Sequence, residues 1–130
     1  MTRSIYRWGP AILMTGLIFI ASSTPGSDLP DFGSMDFLIL KSGHLLGYTL
    51  LSAAFLHGLA NGRPFTRSRI ALTVILVFLY AASDEWHQSF SPGRNPAITD
   101  VGIDTAGGFL GVLFLYFVRK RLYYPWKRSP

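Results

Sequence analysis

The sequence predicts an all-α protein, an integral membrane four-helix bundle. Only 15% of its 130 residues are charged and 49% are apolar, whereas soluble domains usually contain about 25% charged residues. The apolar residues are concentrated in four long segments, and so much apolar surface cannot remain in water as a disordered chain. The absence of cysteine excludes disulfides, thiolate zinc sites and a cysteine nucleophile.

A helix that crosses a bilayer needs roughly 20 residues. The second and fourth apolar segments have this length, and the first and third reach it with a few flanking polar residues. A soluble bundle is the alternative, but its helices would carry charges on one face, and the third segment has no charge from residue 70 to 82. We therefore predict a single transmembrane domain over residues 1–130, with helices at about residues 5–23, 43–60, 69–88 and 98–118.

The first segment also has features of a cleaved signal peptide. Arg3 and Arg7 precede the apolar stretch, and small residues follow it at 21–23. Pro25 follows Thr24 and is typical of a helix exit, so we expect the segment to be retained as the first transmembrane helix. Ser22 has no acid or base near it in the sequence, and we expect only a hydrogen-bonding role at the helix end.

The basic residues predict the orientation of the helices. Ten of the 12 Lys and Arg residues lie in the two tails and in the loop between the second and third segments. The positive-inside rule places these regions, and both termini, in the cytoplasm. The other two loops contain only Lys41 and Arg94. The net charge of +5 therefore reflects orientation and anionic lipid, and no nucleic-acid partner is predicted.

Three polar clusters are predicted to meet at the outward ends of the helices. Spacings of three and four residues place the members of the first cluster on one helix face, and Gln88 shares a face with Asp84 or with Glu85. In chain order the clusters are Lys41, His44 and Tyr48; Asp84, Glu85, His87 and Gln88; and Arg94, Asp100 and Asp104.

Glycines adjoin two of these clusters. Gly107 and Gly111 continue the face of the Asp104 cluster, and Gly43 and Gly47 lie within the first cluster. Strips of small residues allow membrane helices to approach closely. We therefore expect the helices to close around the charged groups at both strips.

Ionisable groups within a membrane must pair with one another or face a water-filled cavity. Two cations, Lys41 and Arg94, cannot neutralise the four carboxylates of the clusters, so a shared proton or a bound cation is expected. The acid, base or cation-binding candidates are Asp84, Glu85 and Asp100. The candidates for binding or orienting a substrate, including an anionic group, are Lys41, His44, Tyr48, Gln88, Arg94 and Asp104.

No metal site is predicted, and the sequence indicates no particular cofactor. Four residues of metal-ligand type occur in the clusters, but none of them is part of an HExxH motif or a similar ligand spacing. These four residues are His44, Asp84, Glu85 and His87.

Three functions fit these clusters, and the residues alone leave open whether the protein is an enzyme. The first is a binding or catalytic site for an envelope lipid or for the headgroup of a lipid-linked cell-wall precursor. The second is a structural or interaction role, in which the polar groups tie the helices together. The third is a proton- or ion-coupled carrier, which with four helices would require a homo-oligomer.

The clusters contain three motifs with Arg94 between the last two: Lys41-x-x-His44-x-x-x-Tyr48, Asp84-Glu85-x-x-Gln88 and Asp100-x-x-x-Asp104. These motifs resemble those of the VanZ-like membrane proteins. The resemblance covers nearly the whole chain. It implies a small multi-pass protein of the bacterial cytoplasmic (inner) membrane, from a family linked to resistance to the glycopeptide antibiotic teicoplanin.

Two positions depart from the usual pattern of that family. Leu40 stands where an Asp usually precedes the Lys, and Asp104 stands where an Asn is usual. The second departure adds a carboxylate to the predicted site.

Overall fold

The structure, a computed structural model, describes residues 2–123. Four long helices account for most of these residues, and each is long and apolar enough to cross a membrane, which confirms the prediction of an all-helical protein with four such segments. The helices are α1 (Thr2–Ser23), α2 (Asp36–Ala60), α3 (Arg67–Gln88) and α4 (Ile98–Tyr123). Two residues of the basic C-terminal tail, Lys127 and Arg128, lie outside the described residues.

Helix α2 begins at Asp36, earlier than the start at residue 43 expected from the sequence. The expected start was that of the apolar segment, whereas the first turns of the helix also contain polar residues, among them Lys41, which forms an ion pair with Asp100. Two single-turn 3₁₀ helices, Gly26–Asp28 and Gly33–Met35, precede α2. The backbone N–H of Phe32 donates a 2.6 Å hydrogen bond to the Asp36 carboxylate.

The bundle has a narrow interior and an apolar outer surface. Tyr48, Leu51 and Val77 are completely buried between the helices. Large apolar side chains such as Leu13 and Phe114 are more than half exposed on the outside. An outer surface of this kind suits hydrocarbon, where exposed Leu and Phe side chains have no need of burial.

Helices α2 and α4 run parallel to each other and pack closely through glycine. Thr49 Oγ1 donates a 3.0 Å hydrogen bond to the carbonyl of Gly107, and Ser52 Oγ donates a 2.6 Å hydrogen bond to that of Gly108. A Cβ added to Gly111 would lie 2.1 Å from the carbonyl oxygen of Thr49. The close approach predicted for the Gly107 and Gly111 strip is confirmed.

The prediction of close helix packing at the α2 strip is wrong at Gly43. A Cβ added there would meet no atom within 4 Å, and one added to Gly47 would make an ordinary 3.7 Å contact with Ile18 of α1. Gly43 instead forms part of the wall of a cavity, so its missing side chain leaves space rather than allowing helix contact.

The helices alternate in direction, so the bundle has two chemically different ends. At the basic end, Arg7 Nε donates a 2.7 Å hydrogen bond to the carbonyl of Gly58, and Arg119 donates to the carbonyls of Gly62 and Arg63. The beginning of α1 and the last turns of α4 therefore lie at the same end. The opposite, acidic end is where α1 and α3 end and α2 and α4 begin.

Candidate functional site

Asp84 lies at the centre of the polar groups at the acidic end. It is 4% exposed, and its Oδ2 atom accepts hydrogen bonds from Ser22 Oγ at 2.8 Å, Tyr48 OH at 3.2 Å and Gln88 Nε2 at 3.3 Å. The donors belong to α1, α2 and α3. The structure therefore pairs Gln88 with Asp84, rather than with Glu85, and the carboxylate joins three helices.

Ser22 is a member of this cluster that sequence reasoning did not include among the site residues. It is 2% exposed, and its partner Asp84 lies 62 residues away in the chain. Gln88 Nε2 also lies 3.4 Å from Ser22 Oγ. The sequence gives only a weak indication of this role. Ser22 is a hydroxyl residue at the end of an apolar helix, and that end is predicted to lie on the same side of the membrane as the polar clusters.

A second buried contact joins His44 of α2 to Asp104 of α4. His44 Nδ1 lies 3.4 Å from Asp104 Oδ2 with hydrogen-bond geometry, and 3.3 Å from Oδ1 without it. Asp104 is 1% exposed, and its Oδ1 accepts no hydrogen bond from any residue that the structure describes. The imidazole ring of His44 is nearly parallel to the ring of Tyr48.

An ion pair between Lys41 and Asp100 lies closer to the surface of the acidic end. The side chain of Lys41 is 28% exposed and that of Asp100 is 13% exposed. Each polar residue of the first cluster therefore meets its own acid: Lys41 meets Asp100, His44 meets Asp104, and Tyr48 meets Asp84. The regular spacing along α2 produces this series because these three residues share one face of the helix.

A cavity of about 260 Å³ lies beside these contacts, between α1, α2 and the loops at the acidic end. The polar residues that line it are Ser22, His44, Tyr48 and Arg94. Its other lining residues are apolar or glycine: Ile18, Ala21, Leu29, Ile39, Leu40, Gly43 and Gly47.

Arg94 holds the end of α1 at the edge of this cavity. Its Nε donates a 3.1 Å hydrogen bond to the carbonyl of Thr24, and Nη2 donates a 2.9 Å hydrogen bond to that of Ala21. The carbonyl groups at the end of a helix lack hydrogen-bond donors within the helix. The Arg94 guanidinium donates hydrogen bonds to two carbonyls at the end of α1. The positive charge of Arg94 is thereby fixed at the cavity wall.

Glu85 and His87 make contacts separate from those of Asp84. Glu85 follows Asp84 directly in the helix and therefore projects in a different direction. Glu85 Oε1 accepts a 2.5 Å hydrogen bond from the backbone N–H of Ala97, at a groove of about 730 Å³ between α3 and α4. His87 Nε2 lies 3.0 Å from Ser23 Oγ, and its ring stacks on Phe19. The four ligand-type residues of the sequence therefore do not form one group.

A different set of potential metal ligands does converge at the acidic end. His44, Asp84 and Asp104 each offer a ligand atom, and these atoms all lie within 4.8 Å of one another. The three residues come from three helices, so no local sequence spacing reveals them.

These features define an α-helical protein with four candidate membrane-spanning helices and a buried polar cluster at one end of the bundle. The family model described as VanZ/LLP1 matches residues 8–119. The chain belongs to the VanZ/LLP1 family, and the resemblance predicted from the motifs is confirmed. No curated protein and no solved structure gives a significant match to the chain.

Proposed function

We propose that this protein binds the anionic headgroup of an envelope lipid, or of a lipid-linked cell-wall precursor, in the cavity at the acidic end. The observation that carries the proposal is the composition of the cavity wall. Arg94 and His44 line the cavity, and Ile39 and Leu40 are among the apolar residues that complete the lining. Arginine suits oxyanions such as phosphate, and the apolar residues suit the first carbons of a lipid.

The size of the cavity supports a headgroup rather than a whole lipid. Sites for drug-sized ligands are usually about 300–1,000 Å³, and this cavity has about 260 Å³. A phosphate-sized group and a few carbons fit this volume. The acyl or isoprenoid chain of the ligand would remain in the bilayer.

We propose that the acidic end faces outward in a bacterial cytoplasmic membrane, with both termini in the cytoplasm. The basic end supports this orientation, because it carries Arg7, Arg63 and Arg119 and cytoplasmic loops are rich in Lys and Arg. The cavity then lies at the level of the outer-leaflet headgroups.

A second candidate function is structural. The Asp84 carboxylate accepts hydrogen bonds from three helices, and such a satisfied buried network can serve to fix the arrangement of the helices. The two functions make different predictions for a variant that fills the cavity and leaves the network intact.

Gly43→Leu is such a variant, because Gly43 lines the cavity and a Cβ there meets no atom within 4 Å. Gly16→Leu is the matched control, since its Cβ is equally free and Gly16 is not among the residues lining the cavity. The test is mass spectrometry of the lipids that remain bound after purification in detergent.

We expect wild type and Gly16→Leu to retain a specific lipid or precursor that Gly43→Leu loses. Replacing glycine within a helix removes an unfavourable helix former, so the thermal stability of Gly43→Leu should be preserved. Equal retention by all three proteins would contradict headgroup binding in this cavity and would favour the structural role.

A further inference from the structure

Three potential ligands for a metal ion meet inside the bundle, next to the cavity. They are His44 of α2, Asp84 of α3 and Asp104 of α4, and their ligand atoms lie within 4.8 Å of one another. Both carboxylates are nearly inaccessible, with 4% exposure for Asp84 and 1% for Asp104. Acidic residues alone do not identify a metal site, so the hydrogen bonding of each carboxylate oxygen must be considered.

The lack of a hydrogen bond to Asp104 Oδ1 among the described residues points to a ligand at this position. This oxygen is buried, and leaving such an atom unsatisfied costs about 1–3 kcal/mol or more. It faces His44 Nδ1 at 3.3 Å. Two ligand atoms of one tetrahedral zinc ion lie roughly 3.3 Å apart, given zinc–ligand distances of about 2.0–2.1 Å.

The charges near these residues also favour a cation. Among the residues that the structure describes, Asp84 and Asp104 form no ion pair with Lys or Arg, because Lys41 pairs with Asp100 and Arg94 donates to the carbonyls of α1. His44 is the basic partner of Asp104 among the described residues and supplies at most one positive charge, so two buried carboxylates beside it need a further proton or cation to balance them. A divalent cation bound between the two carboxylates supplies that charge.

We propose that His44, Asp84 and Asp104 bind one divalent transition-metal ion, zinc or manganese. An imidazole together with two carboxylates suits these ions better than magnesium or calcium, which prefer oxygen ligands alone. The hydrogen bonds of Ser22, Tyr48 and Gln88 to Asp84 form the outer shell that orients a ligating carboxylate.

Three protein ligands leave at least one coordination position open. His44 also lines the cavity, so an ion bound by His44 would lie next to the cavity, and water or an anionic oxygen from the cavity would complete its coordination. Metal binding does not depend on the proposed headgroup, and it can be measured with the metal alone.

The test uses the full-length protein, purified in detergent with a tag that contains no histidine and stripped of metal with a chelator. Titration calorimetry with ZnCl₂ and, separately, MnCl₂ gives the affinity, and elemental analysis after desalting gives the stoichiometry. We expect one ion per chain and a higher Tm when the ion is present, because a ligand that binds only the folded state stabilises it.

Asp104→Asn preserves the size of the side chain and removes its charge. We expect it to weaken binding by about 100-fold or more, since even changes to outer-shell residues cost about 10–100-fold. Asp28→Asn is the matched control, because it removes an exposed carboxylate from the same end of the bundle, and its affinity should equal that of wild type.

His44→Gln is the second ligand variant, and it decides the test if Asp104→Asn fails to fold without metal. The visible absorption of bound Co²⁺ in wild type provides a readout that reports coordination directly. Failure of wild type to bind Zn²⁺, Mn²⁺ or Co²⁺ would overturn the proposal. Binding by the folded ligand variants as strong as that of Asp28→Asn would overturn it as well.

Discussion

Ser22 Oγ donates a 2.8 Å hydrogen bond to Asp84 Oδ2, which joins the last turn of α1 to α3 at the acidic end. Both side chains are buried. This contact makes α1 part of the same polar network as α2 and α3, because Tyr48 and Gln88 donate to the same oxygen. The network gives the first helix a specific partner within the bundle.

Ser22→Ala should therefore destabilise the protein without removing the carboxylate. Loss of one donor to a buried charged group costs about 1–3 kcal/mol, and Asp84 retains the donors Tyr48 and Gln88. We expect a lower Tm in thermal denaturation followed by circular dichroism in detergent. Ser27→Ala, at an exposed loop position, should leave the Tm unchanged. Equal Tm values for the two variants would show that the bond contributes nothing to stability.

Gly111→Ala should disrupt the contact between α2 and α4, because the new Cβ would lie 2.1 Å from the carbonyl oxygen of Thr49. Gly102→Ala in the same helix is the control, since its Cβ meets no atom within 4 Å and alanine favours a helix by about 1 kcal/mol over glycine. We expect Gly111→Ala to lower the Tm and Gly102→Ala to preserve or raise it. The opposite order would contradict the packing described for these helices.

The ion pair between Lys41 and Asp100 should show coupling in a double-mutant cycle. Removing one partner leaves the other charge uncompensated in a partly buried site, so Lys41→Met and Asp100→Asn should each lower the stability. The double variant should lose less than the sum of the two single variants, with a coupling energy of about 0.5–3 kcal/mol. Chemical denaturation in detergent gives these values, and strictly additive losses would show that the two groups act independently.

The proposed orientation can be tested by labelling, because the chain contains no cysteine. Ser27→Cys places a thiol in the loop at the acidic end, and Ser68→Cys places one at the basic end; both positions are exposed. In intact bacterial cells, a membrane-impermeant maleimide should label Ser27→Cys and should label Ser68→Cys only after the membrane is opened. The reverse pattern would place the acidic end and its cavity in the cytoplasm.

The positions of the helices could be predicted because each apolar segment is nearly as long as a bilayer is thick. The start of α2 at Asp36 could not be predicted from the apolar segment, because that segment begins only at Gly43 and the earlier turns of the helix contain polar residues. The first cluster could be placed on one face of a helix because its spacing is local.

The contacts between helices could not be predicted in the same way. Ser22 meets Asp84 across 62 residues, and His44 meets Asp104 across 60 residues. Such pairs depend on how four helices are rotated about their axes, and spacing within one helix does not contain that information. The hydrogen bond from the backbone N–H of Ala97 to the Glu85 carboxylate could not be predicted for the same reason.

We propose that the cavity at the acidic end binds an envelope lipid or a lipid-linked precursor. The decisive measurement is quantitative mass spectrometry of the lipids and precursors that co-purify with wild type, Gly43→Leu and Gly16→Leu from membranes that contain equal amounts of each protein. We expect at least one species to co-purify with wild type and Gly16→Leu and to be lost from Gly43→Leu. If no species co-purifies with wild type, or if Gly43→Leu retains the same species as wild type does, the cavity does not bind such a headgroup.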